Sequence, residues 1–161
     1  MPCARPKASR PAMRALLDVN VLVALLDAAH LHHRVATAWL AANVGKGWAS
    51  CPLTQNGCVR ILSLAGYSNS QAPAAVAERL TRATTDRRHE FWPDAVSILE
   101  SGRLNWDHVL TSRQITDVYL LSLAVARGGR LVTLDQAIAL KAVPGASSKS
   151  LVILGRESAR P

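Results

Sequence analysis

Residues 15–27 read ALLDVNVLVALLD, and this stretch decides the fold. A short apolar run, residues 15–17, stops at Asp18, and residues 19–26 continue with helical character. A similar run, LVTL at 131–134, reads as a buried strand and stops at Asp135. Between them, residues 31, 35, 38, 39 and 42 keep a helical apolar period that Gly45 and Gly47 close. Residues 48–51 read as a second strand, and Pro52 suits the first position of a helix over 53–64 that Gly66 ends. A further helix is predicted over 71–83, then a polar run TTDRRHE and a short edge strand at Phe91 and Trp92. Residues 94–99 read as helical. Thr111-Ser-Arg-Gln114 has the form of a capping box, opening a strongly apolar helix to Ala126 that Gly128-Gly129 terminates. Residues 151–154 read as the last strand. Strands separated by helices predict an α/β fold with a parallel sheet covered on both faces.

The chain has 161 residues, 49% hydrophobic and 19% charged. That length fits one domain able to bury its own core. The low charged fraction argues against disorder and against a coiled coil. Lys and Arg number 19 against 11 Asp and Glu, a net charge of +8 that favours an anionic partner, nucleic acid before membrane surface. Residues 1–12, with three prolines and three basic residues, read as a disordered basic lead-in, with Met13 a candidate internal start. The domain is predicted over 13–155 and a short tail over 156–161. The three cysteines, Cys3, Cys51 and Cys58, form no C-x-x-C pair. Cys51 and Cys58, seven apart, are expected as buried thiols on one helix face, in a reducing compartment. The basic lead-in before the run at 15–26 has the outline of a secretory signal, but Asp18 and Asp27 would burden its apolar segment. No apolar run reaches the length of a membrane span. The expectation is a cytoplasmic protein with no membrane partner.

Three acids stand out by position. Asp18 and Asp135 end strands, and in open α/β sheets ligands bind outside the carboxyl ends of strands. Asp117 lies in the first turn of the apolar helix, where an unpaired carboxylate is expensive. Carboxylates gather closely only if a cation neutralises them, and an oxygen-only set suits Mg²⁺ or Mn²⁺. A strand-end aspartate can equally be a helix N-cap, and that reading stands beside the first for Asp18 and Asp135.

The four stretches LLDVNVLVALLD, CPLTQNGCVRIL, QITDVYLLSLAV and RLVTLDQAI, in this order, resemble the motifs of PIN-domain ribonucleases, and within them the VapC-type toxins of toxin–antitoxin pairs. The resemblance spans residues 13 to about 154 and is specific as a set. It implies a PIN-like three-layer α/β/α fold with a central, mostly parallel sheet. It implies a metal-dependent endoribonuclease toxin that hydrolyses RNA phosphodiester bonds, with Asp18, Asp117 and Asp135 as ligands of Mg²⁺ or Mn²⁺. Asn20 and Thr133 are implied as polar groups supporting those ligands. Expected partners are an RNA substrate, a VapB-type antitoxin in a hetero-oligomer, and a second copy in a homodimer.

One position departs from the pattern. The second motif usually offers Glu, and Gln55 stands there. An amide brings no charge, so the expectation is one metal ion bound well and a second bound weakly. The alternative is an RNA-binding or regulatory PIN module whose catalysis Gln55 has weakened. In the expected mechanism a metal-activated water attacks the phosphate in line, with Asp18 and Asp117 as direct ligands and Asp135 acting through water.

Other residues invite function. His30, His32 and His33 cluster, but lack companions at zinc spacing; they are expected to cap a turn or meet RNA. Arg82, Arg87 and Arg88, with Arg79 and His89, form a basic patch that is either a solvated face or a phosphate contact. Arg113, one helical turn before Asp117, is expected to contact substrate or antitoxin. Trp39, Trp48, Trp92 and Trp106 read as core, with base stacking a minor option for Trp92 and Trp106.

Overall fold

A computed structural model describes residues 13–155. The expected lead-in at 1–12, with Cys3, and the tail at 156–161 lie outside the described residues. Five short strands form the sheet: β1 (Ala15–Leu17), β2 (Trp48–Ser50), β3 (His89–Phe91), β4 (Arg130–Thr133) and β5 (Leu151–Ile153). Their order is β3-β2-β1-β4-β5, and every pairing is parallel. Five helices connect them: α1 (Val19–Leu26), α2 (His33–Asn43), α3 (Pro52–Leu62), α4 (Pro73–Thr84) and α5 (Ile115–Ala126). The expected α/β/α layering is present.

Alternation along the strands assigns the two cores. Ala15, Leu17, Trp48 and Val132 face α1 to α4, while Leu16, Ala49 and Leu131 face α5 and the segments around Trp92, Leu104 and Val143. β1 is the pivot of the sheet, paired on one side with β2 and on the other with β4. The chain crosses from β1 to β2 and β3 on one side, and later returns to β4 and β5 on the other side of β1. The carboxyl ends of β1 and β4 therefore flank the point where the winding reverses, which is where open parallel sheets place their ligand crevices.

Two packing details set the walls of that crevice. A Cβ added to Gly57, in the middle of α3, would meet Val19 Cγ2 at 2.7 Å, so α3 can lie this close to α1 only with glycine there. At the other end of α1, Asp27 closes the helix and is 2% exposed. Its Oδ1 accepts from Ala29 N (3.0 Å) and Asn69 Nδ2 (2.9 Å), and its Oδ2 accepts from the Tyr67 hydroxyl (2.5 Å). Arg79 donates to the Leu26 carbonyl and to Gln71 Oε1 (3.0 Å) from α4. The far end of α1 is thereby tied to the connection between α3 and α4.

Several expectations are corrected. Residues 94–99 form no helix; the chain turns at Pro93–Ala95 and again at Ser97–Glu100 (Ala95 N to Pro93 O 2.8 Å, Glu100 N to Ser97 O 3.2 Å), and half-buried Val96 and Ile98 cover the α5 core. Cys51 and Cys58 are both buried free thiols, but they share no helix face. Cys51 precedes α3 as its cap and packs with the α5 core, whereas Cys58 packs on the other side of the sheet. Leu31, placed on the apolar stripe of the second helix, lies before α2 and is 87% exposed; Ala36 is the buried residue of that helix. Trp48 and Trp92 are core, Trp39 packs at its edge beneath the Arg130 guanidinium, and Trp106 is 48% exposed.

The hydrogen bonds from Tyr67, Asn69 and Ala29 hold the Asp27 carboxyl below the ordinary carboxylate range. A depressed pKa stabilises the fold above the unfolded value near about 4 and loses that contribution as pH falls below it. In urea titrations, stability should therefore decline on acidification below pH about 4, and Asp27→Asn should flatten that decline while costing roughly 1–3 kcal/mol at pH 7. Parallel pH profiles for the two proteins would contradict this assignment.

Candidate functional site

Asp18 is held from four directions where β1 becomes α1. Its backbone N–H donates to Val132 O of β4 (2.9 Å), and its carbonyl accepts from Val21 N and Leu22 N, both at 3.0 Å. Its Oδ1 accepts from Val19 N (2.7 Å), and its Oδ2 accepts from the Thr133 hydroxyl (2.7 Å). Thr133 is fully buried. Its Oγ1 also accepts from Asp135 N (3.0 Å), so one hydroxyl spaces the two strand-end aspartates. Asp135 Oδ1 in turn accepts from Ala137 N (2.8 Å). Both strand-end aspartates thus cap turns; the capping role and the site role coexist.

Asp117 arrives from the first turn of α5. A helix N-terminus favours nearby negative charge, and those of α1 and α5 both meet here. Three effects nevertheless oppose ionisation of Asp117. Burial is the largest, followed by the charges of Asp18 and Asp135 and a hydrogen bond shared with Asp135, and together they push its pKa up to about 7. Burial likewise raises Asp18, with Asp135 adding to it, against the lowering effect of the Thr133 and Val19 hydrogen bonds. Among the described residues, no three His, Cys, Asp or Glu side chains already enclose a point that could hold an ion. The acids are close enough for their charges to repel, and they offer oxygen donors alone. Such a donor set could hold a hard divalent cation, whose charge would remove the repulsion.

The acids open on a cleft of about 460 Å³ whose wall includes Asp18, Asn20, Asn56, Arg60, Thr116 and Asp117. Asn20 is exposed on that wall, while Asp135 does not line it. Gln55 lies elsewhere. Its Nε2 donates to Ser50 Oγ (2.9 Å), and it lines a separate cavity between α3 and α4. The expectation that Gln55 lowers the charge of the acidic site therefore loses its geometric basis. The face of α3 toward the cleft carries Leu53, Asn56, Gly57, Arg60 and Ile61, the i, i+3, i+4, i+7, i+8 rows of one helical stripe. Arg60, Asn56 and Thr116 were not anticipated, although phasing α3 from Pro52 identifies the first two.

The remaining candidates are dispersed. Arg113 is exposed one turn before Asp117, off the cleft wall. Arg82 pairs with Glu78, and Arg88 pairs with Asp86 (2.5 Å), which makes part of the basic patch internally neutral. Arg87 is exposed with no acidic partner among the described residues. The histidines organise the turn before α2: His30 Nδ1 accepts from His32 N (3.1 Å), and His33 Nδ1 bonds the Ala24 carbonyl (2.7 Å).

Comparison with known proteins places this arrangement in a family. Residues 15–144 match the PIN domain family. Ribonuclease VapC44 of Mycobacterium tuberculosis is 51% identical over 142 residues, covering 88% of this chain and all of that protein. Ribonuclease VapC39 of the same organism is 42% identical over 134 residues, covering 83% of this chain and 96% of its own length. Among solved structures, VapBC2 from Rickettsia felis bound to a promoter DNA fragment aligns with a TM-score of 0.60, 17% identity, and coverage of 88% of this chain and 99% of that one; this likeness speaks to the fold.

The raised Asp117 pKa has a sign that can be checked. A carboxyl near 7 in the folded state and near about 4 unfolded makes the fold progressively less stable as pH rises between those values. Asparagine carries no such penalty. In EDTA, Asp117→Asn should melt several degrees above the wild type at pH 8, with the gap closing by pH 4. An equal or lower melting temperature at pH 8 would contradict the electrostatic reading of the cleft.

Proposed function

The chain belongs to the PIN-domain family, and from that membership we propose that it is an endoribonuclease toxin of the VapC type, dependent on Mg²⁺ or Mn²⁺ and neutralised by a cognate antitoxin. One observation carries the chemistry: three aspartates from β1, β4 and α5 are held against one another at the sheet's switch point, with Asp18 and Asp117 opening on a cleft. The names of the relatives support the ribonuclease reading, and the identity extends over nearly the whole length of both.

Asp18 and Asp117 would hold the ion directly and Asp135 through water. Bound there, a divalent cation supplies a polarised phosphate and a water of lowered pKa. The chain's own residues do the rest. Thr133 spends its only hydroxyl hydrogen on Asp18 Oδ2, which keeps that carboxylate an acceptor and fixes its direction. Arg60 on the cleft wall offers a fork for a phosphate oxygen, beside the N–H groups opening α1. Asn20 supplies an amide to the same wall. Asp117 holds a proton up to near neutral pH while the cleft is empty, and would give it up to the solvent when the ion binds.

The net charge of +8 suits an RNA substrate and also an acidic antitoxin segment. Arg87 and Arg113 are the cations of the predicted contact set not already tied to an acid among the described residues; Arg82 and Arg88 would have to exchange an internal partner. A VapB-type antitoxin, assembly with it as a hetero-oligomer, a homodimer and a cytoplasmic site of action complete the reading. Among the described residues no helix is long and apolar enough to cross a membrane. The decayed-site alternative finds no support, because its one ground was Gln55, which lies off the cleft.

Incubating the purified protein with total RNA and Mg²⁺ tests this. Asp18→Asn retains an acceptor for Thr133, so it should fold, and it should cut RNA about 100-fold or more slowly; chelation of the wild type should do the same. Cleavage that survives both treatments would remove the proposal.

A further inference from the structure

We propose that the cavity between α3 and α4 is a subsite for one unstacked base of the RNA substrate, and that Gln55 reads an exocyclic amine on that base. The inference rests on the ribonuclease reading above and deepens it. The cavity measures about 230 Å³ and is lined by apolar Val59 and Leu80, by Ala77 at its exposed rim, and by the polar groups of Gln55, Asn56 and Thr81. It is smaller than the roughly 300–1,000 Å³ that drug-sized ligands take, and suits a single planar ring. Asn56 lines both this cavity and the acidic cleft, so the two adjoin across one residue of α3. A strand whose phosphate lies at Asp18 and Asp117 would pass a neighbouring base along this side of the helix. Proteins that recognise RNA sequence take hold of such splayed bases by apolar contact and edge hydrogen bonds.

Hydrogen bonds fix which way the Gln55 amide points. Gln55 Nε2 donates to Ser50 Oγ (2.9 Å), and Ser50 is fully buried. Ser50 Oγ also lies 2.8 Å from His89 Nε2, and burial disfavours the charged form of that ring. A neutral ring accepting at Nε2 takes the one hydrogen of Ser50, which leaves the hydroxyl oxygen to receive the Gln55 amide. Gln55 Nε2 therefore turns inward and Oε1 is left as the free acceptor at the cavity. An acceptor held in place by a buried relay seeks a donor. Cytosine and adenine present one as an exocyclic amine, where uracil and hypoxanthine present a carbonyl.

The test compares oligoribonucleotides that differ at single positions by cytosine against uracil, or adenine against hypoxanthine. The wild type should prefer the amine-bearing base at one position next to the cut by about tenfold in kcat/KM. Gln55→Met, which keeps the length without the amide, should shrink that preference below about twofold while leaving preferences at other positions in place. Ala77→Trp, which fills the cavity from its exposed rim, should raise KM for the preferred oligonucleotide. Thermal melts establish that both variants fold. The same pairs are titrated by fluorescence anisotropy against Asp18→Asn and against Asp18→Asn with Gln55→Met, which reads the subsite without cleavage. Discrimination in the first protein and its loss in the second support the subsite. An unchanged base profile in both Gln55→Met and Ala77→Trp, or equal binding of amine and carbonyl oligonucleotides to Asp18→Asn, overturns it. Absence of cleavage by the wild type counts against the ribonuclease reading, and the binding titration then decides the subsite alone.

Discussion

Holding three carboxylates against one another at the end of a sheet costs free energy, and most of this structure can be read from how that arrangement is maintained. The Thr133 hydroxyl is the central restraint. It takes the Asp135 backbone N–H and gives its own hydrogen to Asp18, so the spacing of the two strand-end acids follows from the pairing of β1 with β4. Asp117 is set against them by the N-terminal turn of α5, and burial with two neighbouring charges keeps its proton until near neutral pH. The cost is lowered by two helix N-termini, and binding of the proposed divalent cation would recover the rest.

The rest of the fold aims surfaces at that point. Because every strand is parallel, all carboxyl ends lie on one side, and the reversal of winding at β1 opens the crevice there. Gly57 lets α3 come against Val19, which brings Arg60 and Asn56 to the cleft wall. The bonds to Asp27 and Leu26 anchor the opposite end of α1 to the α3–α4 connection, so the helix that begins at Asp18 is fixed at both ends. The cavity between α3 and α4 is formed by the same pair of helices that this anchoring steadies.

What the sequence discloses and what it hides follow from the kind of information each feature needs. Asp18 and Asp135 are legible because a carboxylate after an apolar run needs only local pattern, and Asp117 because a charge inside an apolar helix is costly wherever the helix packs. The motif around Gln55 is different. The resemblance of the motif gives its place in the chain, but the face it occupies depends on the phase of α3, set by Pro52 and the contact at Gly57; counting from those residues brings Arg60 to the cleft and turns Gln55 away. Cys51 illustrates the same limit, since a seven-residue spacing implies one face only if both residues are in the helix, and Cys51 lies before it. Residues 94–99 look helical in sequence because two apolar positions, Val96 and Ile98, are too few to separate an irregular, turning segment from a short helix. The hydrogen-bond relay from His89 to Gln55 joins residues 34 positions apart and has no sequence signature.

We infer that Asp117 carries a proton up to near neutral pH which a divalent cation would displace. Calorimetric titration of Mg²⁺ into the protein at pH 6.5, in two buffers of different ionisation enthalpy, counts the protons released on binding. The expected result is release of more than about half a proton per ion from the wild type, since Asp117 is mostly protonated at that pH, and almost none from Asp117→Asn. Binding by the wild type with no proton released, or the same release from Asp117→Asn, would contradict it.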